Sequence, residues 1–392
     1  MKIKSSILIV VLVGFFLFSC SKESEKIFKV DQLTIDASFK GARLNQFEKI
    51  GVNTYKAHIY PAFEPVNKSP WFAFSINSKT PQEIKLKLYY NTYKHRYIPK
   101  LSSDRVHWKK IEAKNISIDT VSGEATLKLK LTNKKLFIAA QEIDSSEDTY
   151  NWLFKILKEN NFLRKEIVGT TVKKQPIYAV ISENKNIKKS VVLIARQHPP
   201  EIPGGTIGFR SFFEELMSNS PLAIKFRSTY NIYTFPLLNP DGVDMGNWRH
   251  NANGVDLNRD WVDFSQPETQ TARNFILDKV KEGKSINYAI DFHTSYSGPY
   301  LLVLDSINQK KVKGLTSKWI KDIENNSKFK VEARKRSQEL PYCYNWFYNT
   351  FKAEAVTYED GDEIDREIIK DRARVYALYF MKIMNLKIKE EL

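Results

Sequence analysis

The spacing of apolar residues changes character once along the chain, near Ile143. Ahead of that point they recur at every second position. Glu83-Ile84-Lys85-Leu86-Lys87-Leu88 and Thr126-Leu127-Lys128-Leu129-Lys130-Leu131 alternate strictly, and Trp71-Phe72-Ala73-Phe74-Ser75-Ile76 has the same habit. Period two marks strands with one buried and one wet face. Turn-rich breaks at Pro65-Val66-Asn67-Lys68-Ser69-Pro70 and Leu101-Ser102-Ser103-Asp104 separate them, which predicts a small antiparallel β-sandwich over residues 27–142. From 143 to 392 apolar runs of strand length alternate with helical spacings. Ser145-Ser146-Glu147-Asp148 reads as a helix cap with an acidic first turn, followed by Trp152, Leu153, Ile156 and Leu157 on one face. Strands are predicted at 177–181, 191–195, 232–237, 286–292, 301–304 and 355–358, and helices at 211–217, 267–280, 315–324 and 364–384. This alternation predicts an α/β domain, a mixed and mostly parallel sheet with helices on both faces. Ligands of such folds gather beyond the carboxyl ends of the strands. His198, the Asn239-Pro240-Asp241-Gly242 turn, His293 and Glu359 all fall there.

A chain of 392 residues, 42% hydrophobic, has material for two packed cores. The net charge of +16 comes mostly from lysines at scattered single positions. With no dense basic run and no arginine stripe interleaved with aromatics, nucleic acid is set aside as a partner. At the amino terminus Lys2 and Lys4 precede an apolar stretch, Ile7 to Phe16, and then Leu17-Phe18-Ser19-Cys20. This resembles a bacterial lipoprotein signal: 1–19 as signal peptide, Cys20 as the lipidated residue and 20–26 as a tether. A lipid-anchored protein of the bacterial cell envelope is therefore expected, on its periplasmic face or at the cell surface. The one other cysteine is Cys343, so no disulfide framework is expected.

Candidate chemistry starts at Val191-Val192-Leu193-Ile194-Ala195-Arg196-Gln197-His198-Pro199-Pro200-Glu201. An apolar strand ends in an imidazole and a carboxylate three residues apart, and the prolines between them make a stiff turn. Alone, this pair is close to chance. His293, which ends a second apolar strand, supplies a third ligand and leaves a fourth position open, the pattern of a catalytic zinc site. Asn258 and Arg259 can grip a carboxylate with an amide and a guanidinium fork. Glu359 ends a late strand with a carboxylate for proton transfer. His58, His95 and His107 lack metal-like spacing and read as surface or packing residues; His250 reads as a surface histidine.

Together, His198-Pro199-Pro200-Glu201, Asn239-Pro240-Asp241-Gly242, Trp248-Arg249, Gly254-Val255-Asp256-Leu257-Asn258-Arg259, Asp291-Phe292-His293 and Thr357-Tyr358-Glu359 resemble the zinc metallocarboxypeptidases of the carboxypeptidase A-like superfamily, in the family's order. The β-rich segment ahead of them resembles the sandwich of the cytosolic carboxypeptidase branch. The resemblance implies one Zn2+ held by His198, Glu201 and His293, with Asp256 orienting His198. It implies that Asn258 and Arg259 clamp the free C-terminus of a peptide substrate, that Arg249 donates to the oxyanion, and that Glu359 is the general base. The family's capping tyrosine has two candidates, Tyr342 and Tyr344. Tyr344 also stands where an acidic residue would mark preference for basic C-terminal residues, so that preference is disfavoured. Two other functions compete: an envelope amidase or carboxypeptidase trimming cell-wall stem peptides, and a catalytically silent surface binding lipoprotein.

Overall fold

The computed structural model describes residues 26–304 and 314–391, with side chains to Leu386. The expected signal peptide, Cys20 and the expected tether up to residue 25 lie outside the described residues.

The alternating segments form eleven strands: β1 (Ile27–Val30), β2 (Leu33–Asp36), β3 (Gln46–Gly51), β4 (Thr54–His58), β5 (Ala73–Ser78), β6 (Gln82–Tyr89), β7 (Lys100–Ser102), β8 (Lys109–Lys110), β9 (Ile116–Ile118), β10 (Ala125–Leu131) and β11 (Leu136–Ala139). They make two sheets, β1-β2-β5-β11-β7-β8 and β3-β4-β6-β10-β9. Ile84, Leu86 and Leu88 of β6 and Leu127, Leu129 and Leu131 of β10 point inward, as their spacing requires, and meet Phe74, Ile76 and Ile138 of the other sheet. One pair departs from the expected antiparallel order: β4 and β6 are parallel. The intervening β5 belongs to the opposite sheet, so the chain crosses over and returns in its original direction, as a parallel pair requires.

The second half continues with β12 (Leu163–Thr170), β13 (Pro176–Ser182), β14 (Lys189–Ala195), β15 (Asn231–Phe235), β16 (Ser285–Ser295), β17 (Tyr300–Leu304), β18 (Ala333–Arg336) and β19 (Glu354–Gly361). Their order is β12-β13-β15-β14-β16-β19-β17-β18, and the central run β15-β14-β16-β19 is parallel throughout. Among the described residues eight α-helices accompany them: α1 (Ser146–Glu159), α2 (Phe209–Met217), α3 (Pro221–Arg227), α4 (Pro240–Asp244), α5 (Pro267–Lys281), α6 (Leu315–Asn326), α7 (Cys343–Phe351) and α8 (Arg366–Glu391). Along β14, Val191, Leu193 and Ala195 enter a core with α2, α6 and α8, while Val192 and Ile194 enter a second core with α5 and α7. Both faces are thus covered, which is why this strand reads as a continuous apolar run. The predicted cap is present as a reciprocal Ser145–Asp148 capping box at α1.

The two halves are bolted together around the turn that follows β19. Arg96 Nε donates to Asp362 (2.7 Å), Lys100 Nζ to Glu363 (2.9 Å), and Arg366 to Glu142 (2.8 Å) and Gln141 (2.7 Å). Arg43 donates to the carbonyls of Met245 and Gly246, and Trp248 is buried in the sandwich core.

Candidate active site and metal centre

Three strand ends meet at one place on the sheet. Because β14, β16 and β19 are parallel neighbours, their carboxyl ends lie side by side. His198 follows β14 by three residues, His293 lies near the end of β16, and Glu359 is its register partner on β19. Pro199 and Pro200 turn the chain back on itself, so that Glu201 sets Oε1 2.7 Å from His198 Nδ1 and Oε2 2.6 Å from His293 Nδ1. Arg196 braces this turn from beneath. Its backbone takes φ +55°, uncommon for a side-chain-bearing residue, and its buried guanidinium donates to the carbonyls of Pro199 (3.0 Å) and Asp144 (3.2 Å). A π-helical stretch, Pro203–Gly208, then runs against β16. Gly204 is required there, since a Cβ would stand 1.8 Å from the His293 carbonyl oxygen.

The outer nitrogens of both rings are held by carboxylates. His198 Nε2 is 2.8 Å from Asp256 Oδ1, and His293 Nε2 is 2.7 Å from Asp291 Oδ2. A carboxylate accepts, so each Nε2 is the donor on its outer side, while the two Nδ1 atoms, 3.2 Å apart and each beside Glu201, are the ones turned inward to where a metal would sit. Asp291 is held in turn by Gln197 Nε2 (2.8 Å), and Gln197 Oε1 accepts from Trp261 Nε1 (2.8 Å). His198, Glu201 and His293 place their ligand atoms within 4.8 Å of one another, the one such cluster of three among the described residues. Two inward imidazole Nδ1 atoms and one carboxylate fit the donor set of a catalytic zinc site.

Electrostatics favour a cation at this point. Burial works to raise the Glu201 carboxyl, but His198 and His293 outweigh it and hold the group well below the ordinary carboxylate range. Burial likewise opposes ionisation of Asp256, and His198 and Arg249 reverse it. Glu359 behaves differently: burial pushes it up to about 8, with Glu201 and Asp291 adding to the effect and His293 and Arg249 opposing it. Its Oε2 is buried without a hydrogen-bond partner. A carboxylate with a free lone pair and a pKa near neutrality is suited to accept and return a proton.

A cavity of about 180 Å³ joins these groups to most of the other expected residues. Arg249 lines it with Nε donated to Asp256. Arg259 lines it with its guanidinium 4.3 Å from the Tyr342 ring centroid and Nη1 donated to the Asn258 carbonyl. The Asn258 side chain accepts from the Cys343 amide (2.9 Å), and its Nδ2 lies 3.2 Å from His293 Nε2. Tyr342 lines the cavity. Tyr344 does not: it lies in the first turn of α7, 1% exposed within the second core, with its ring centroid 6.0 Å from that of Tyr342. Its candidacy for substrate binding is corrected accordingly. His250 is also corrected, being buried with its ring edge-on to Phe63. Four lining residues come from the sandwich, Asn67, Ser69, Arg96 and Tyr97, none of which local sequence singles out. Asp291 had a legible signal, since a carboxylate two residues before His293 on one strand shares its face.

The fold and this constellation define a zinc metallocarboxypeptidase-type protein. The zinc carboxypeptidase family, peptidase M14, matches residues 149–379, more than half of the chain, and the protein belongs to that family. Cytosolic carboxypeptidase 6 of Caenorhabditis elegans is 24% identical over 313 residues, 71% of this chain and 66% of that protein. Human cytosolic carboxypeptidase 2 is 39% identical over 109 residues, 27% of this chain and 12% of that one. The chain thus spans less than two-thirds of the length of these relatives. A metallo-carboxypeptidase from Burkholderia cenocepacia shares the fold over 91% of this chain and 100% of its own, with a TM-score of 0.75 at 18% identity. That likeness takes in the sandwich as well as the α/β domain.

Replacing His293 with alanine should reduce bound zinc from one equivalent to a small fraction of one by elemental analysis. Asp291→Asn should weaken zinc about 10- to 100-fold in competition with a chelator. Full zinc affinity in both variants would refute the ligand set.

Proposed function

We propose that the protein is a zinc-dependent carboxypeptidase that releases the C-terminal amino acid of peptides. The reading is carried by the convergence of His198 Nδ1, His293 Nδ1 and the Glu201 carboxylate beside the unpartnered oxygen of Glu359. When bound, zinc supplies a Lewis acid that polarises the scissile carbonyl and lowers the pKa of the attacking water. Glu359 takes the proton from that water and passes it to the leaving amine. Its burial keeps the protonated form accessible near neutrality, so one group serves both transfers. Arg249, anchored through Nε to Asp256, keeps its remaining N–H groups for the oxygen on which charge develops. Arg259 receives the terminal carboxylate, its guanidinium steadied by Tyr342, and Asn258 adds an amide donor. Tyr342 covers the bound end. Attachment to the bacterial envelope through a lipid on Cys20 is a separate proposal, resting on Leu17-Phe18-Ser19-Cys20.

Glu359→Gln should retain zinc and lose about 10²- to 10⁴-fold in kcat, measured by amino-acid release; unchanged turnover removes Glu359 from the mechanism. In wild type a free-acid peptide should be cleaved far faster than its C-terminal amide, and in Arg259→Met the two rates should converge. A wild type indifferent to amidation would sink the carboxylate clamp. Cys20→Ala should move the protein from the membrane to the soluble fraction and abolish incorporation of labelled fatty acid; a variant that stays membrane-bound contradicts the anchor.

A further inference from the structure

The cavity around Glu359 is walled in part by the sandwich, and among the described residues of the sandwich Arg96 is the one cation that lines it. Lys100, Lys110 and Arg366 brace the same turn after β19 without reaching the cavity, so bracing alone does not account for an arginine at this position. Arg96 is also held in a fixed pose. Nε donates to Asp362 Oδ2 (2.7 Å), and Nη1 donates to the Lys68 carbonyl (3.0 Å) and Ser69 Oγ (2.8 Å). The guanidinium carbon lies 4.8 Å from the Tyr97 ring centroid and 6.0 Å from that of Tyr296. These bonds use three of the five N–H groups and leave the two on Nη2.

What Nη2 can bind follows from that accounting. The bidentate grip on a carboxylate needs two adjacent nitrogens, and the partners of Nη2 on both edges of the fork are already engaged. Asp362 moreover neutralises the charge. A single-atom donor of this kind suits a neutral carbonyl oxygen. Its place on the wall decides which one. Arg259, the clamp for the C-terminus, lies against Tyr342 just ahead of α7, whereas Arg96 lies against Tyr296 and Asp362, beyond the ends of β16 and β19. A peptide whose terminus is held at Arg259 and whose scissile bond faces Glu359 continues toward Arg96.

We propose, building on the carboxypeptidase reading above, that Arg96 is a substrate-positioning residue contributed by the sandwich, its Nη2 donating to a main-chain carbonyl oxygen on the amino side of the scissile bond. A dipeptide has no such carbonyl, and a tripeptide has one.

The test compares a dipeptide with a tripeptide ending in the same two residues, using the zinc-loaded full chain. In Arg96→Met, kcat/KM for the tripeptide should fall roughly 10- to 100-fold, as expected for loss of a hydrogen bond to a charged donor. The dipeptide should change less than about threefold, and Arg96→Lys should restore part of the tripeptide's rate. Tripeptide affinity, measured by calorimetry in a Glu359→Gln background, should fall in parallel. A second arm needs no variant: wild type should lose the same factor on a tripeptide whose upstream amide is replaced by a trans-alkene. Equal losses on both peptides in Arg96→Met, or full activity on the alkene analogue, would overturn the assignment while leaving the carboxypeptidase reading in place. Failure of wild type to cleave any free-acid peptide would overturn both.

Discussion

The site depends on one arrangement, two imidazole rings turned so that their Nδ1 atoms face each other and the Glu201 carboxylate. Alone, an imidazole can carry its proton on either ring nitrogen. Asp256 and Asp291 remove that freedom by accepting from each Nε2, and both carboxylates are themselves held, Asp256 by Arg249 and the Asn258 amide, Asp291 by Gln197. The anionic shell thereby fixes the direction of the lone pairs and makes the enclosed point favourable for a cation. Glu201 completes it at the cost of two prolines and an arginine with positive φ in the preceding turn, strain located beside the chemistry it serves.

The same shell separates the roles of the carboxylates. Glu201 and Asp256 stay ionised because imidazoles and arginines surround them. Glu359, across the strand pair from His293, is half-buried with Oε2 shut off from solvent and lies close to other negative groups, which holds its proton near neutral pH. Environments that push neighbouring acids in opposite directions are how one pocket comes to contain both fixed ligands and a proton carrier.

Much of this was legible in the chain because it is local. Apolar runs that end abruptly in His198, His293 and Glu359 give the strand ends, and a parallel sheet brings such ends together. Period two gave the sandwich, and a capping box marked the start of α1. What escaped notice is what depends on partners distant in sequence. The edge strands β12 and β18 pair on one side only and carry mostly exposed polar residues, so they show no apolar run. Tyr342 and Tyr344 are two residues apart with neighbouring rings, and only the tertiary packing around the start of α7 leaves Tyr342 on the cavity and buries Tyr344 in the core. His250 sits in a polar segment but is buried by Phe63, from a sandwich loop almost two hundred residues earlier.

Arg96 is the extreme case, since its partner Asp362 is 266 residues away. That pairing changes how the two halves are to be understood. Glu359 lies three residues before Asp362, so the turn that carries the sandwich's salt bridges is the continuation of the strand that carries the proposed base. Displacing the sandwich would unpair Asp362 and Glu363, expose Trp248, and free the strand end that sets the position of Glu359. Buried ion pairs add little net stability, but they are costly to break singly and so fix geometry. Here the geometry fixed is that of Glu359, the proposed base and the register partner of His293, and the sandwich supports the candidate site through its structure even before any contact with substrate is counted.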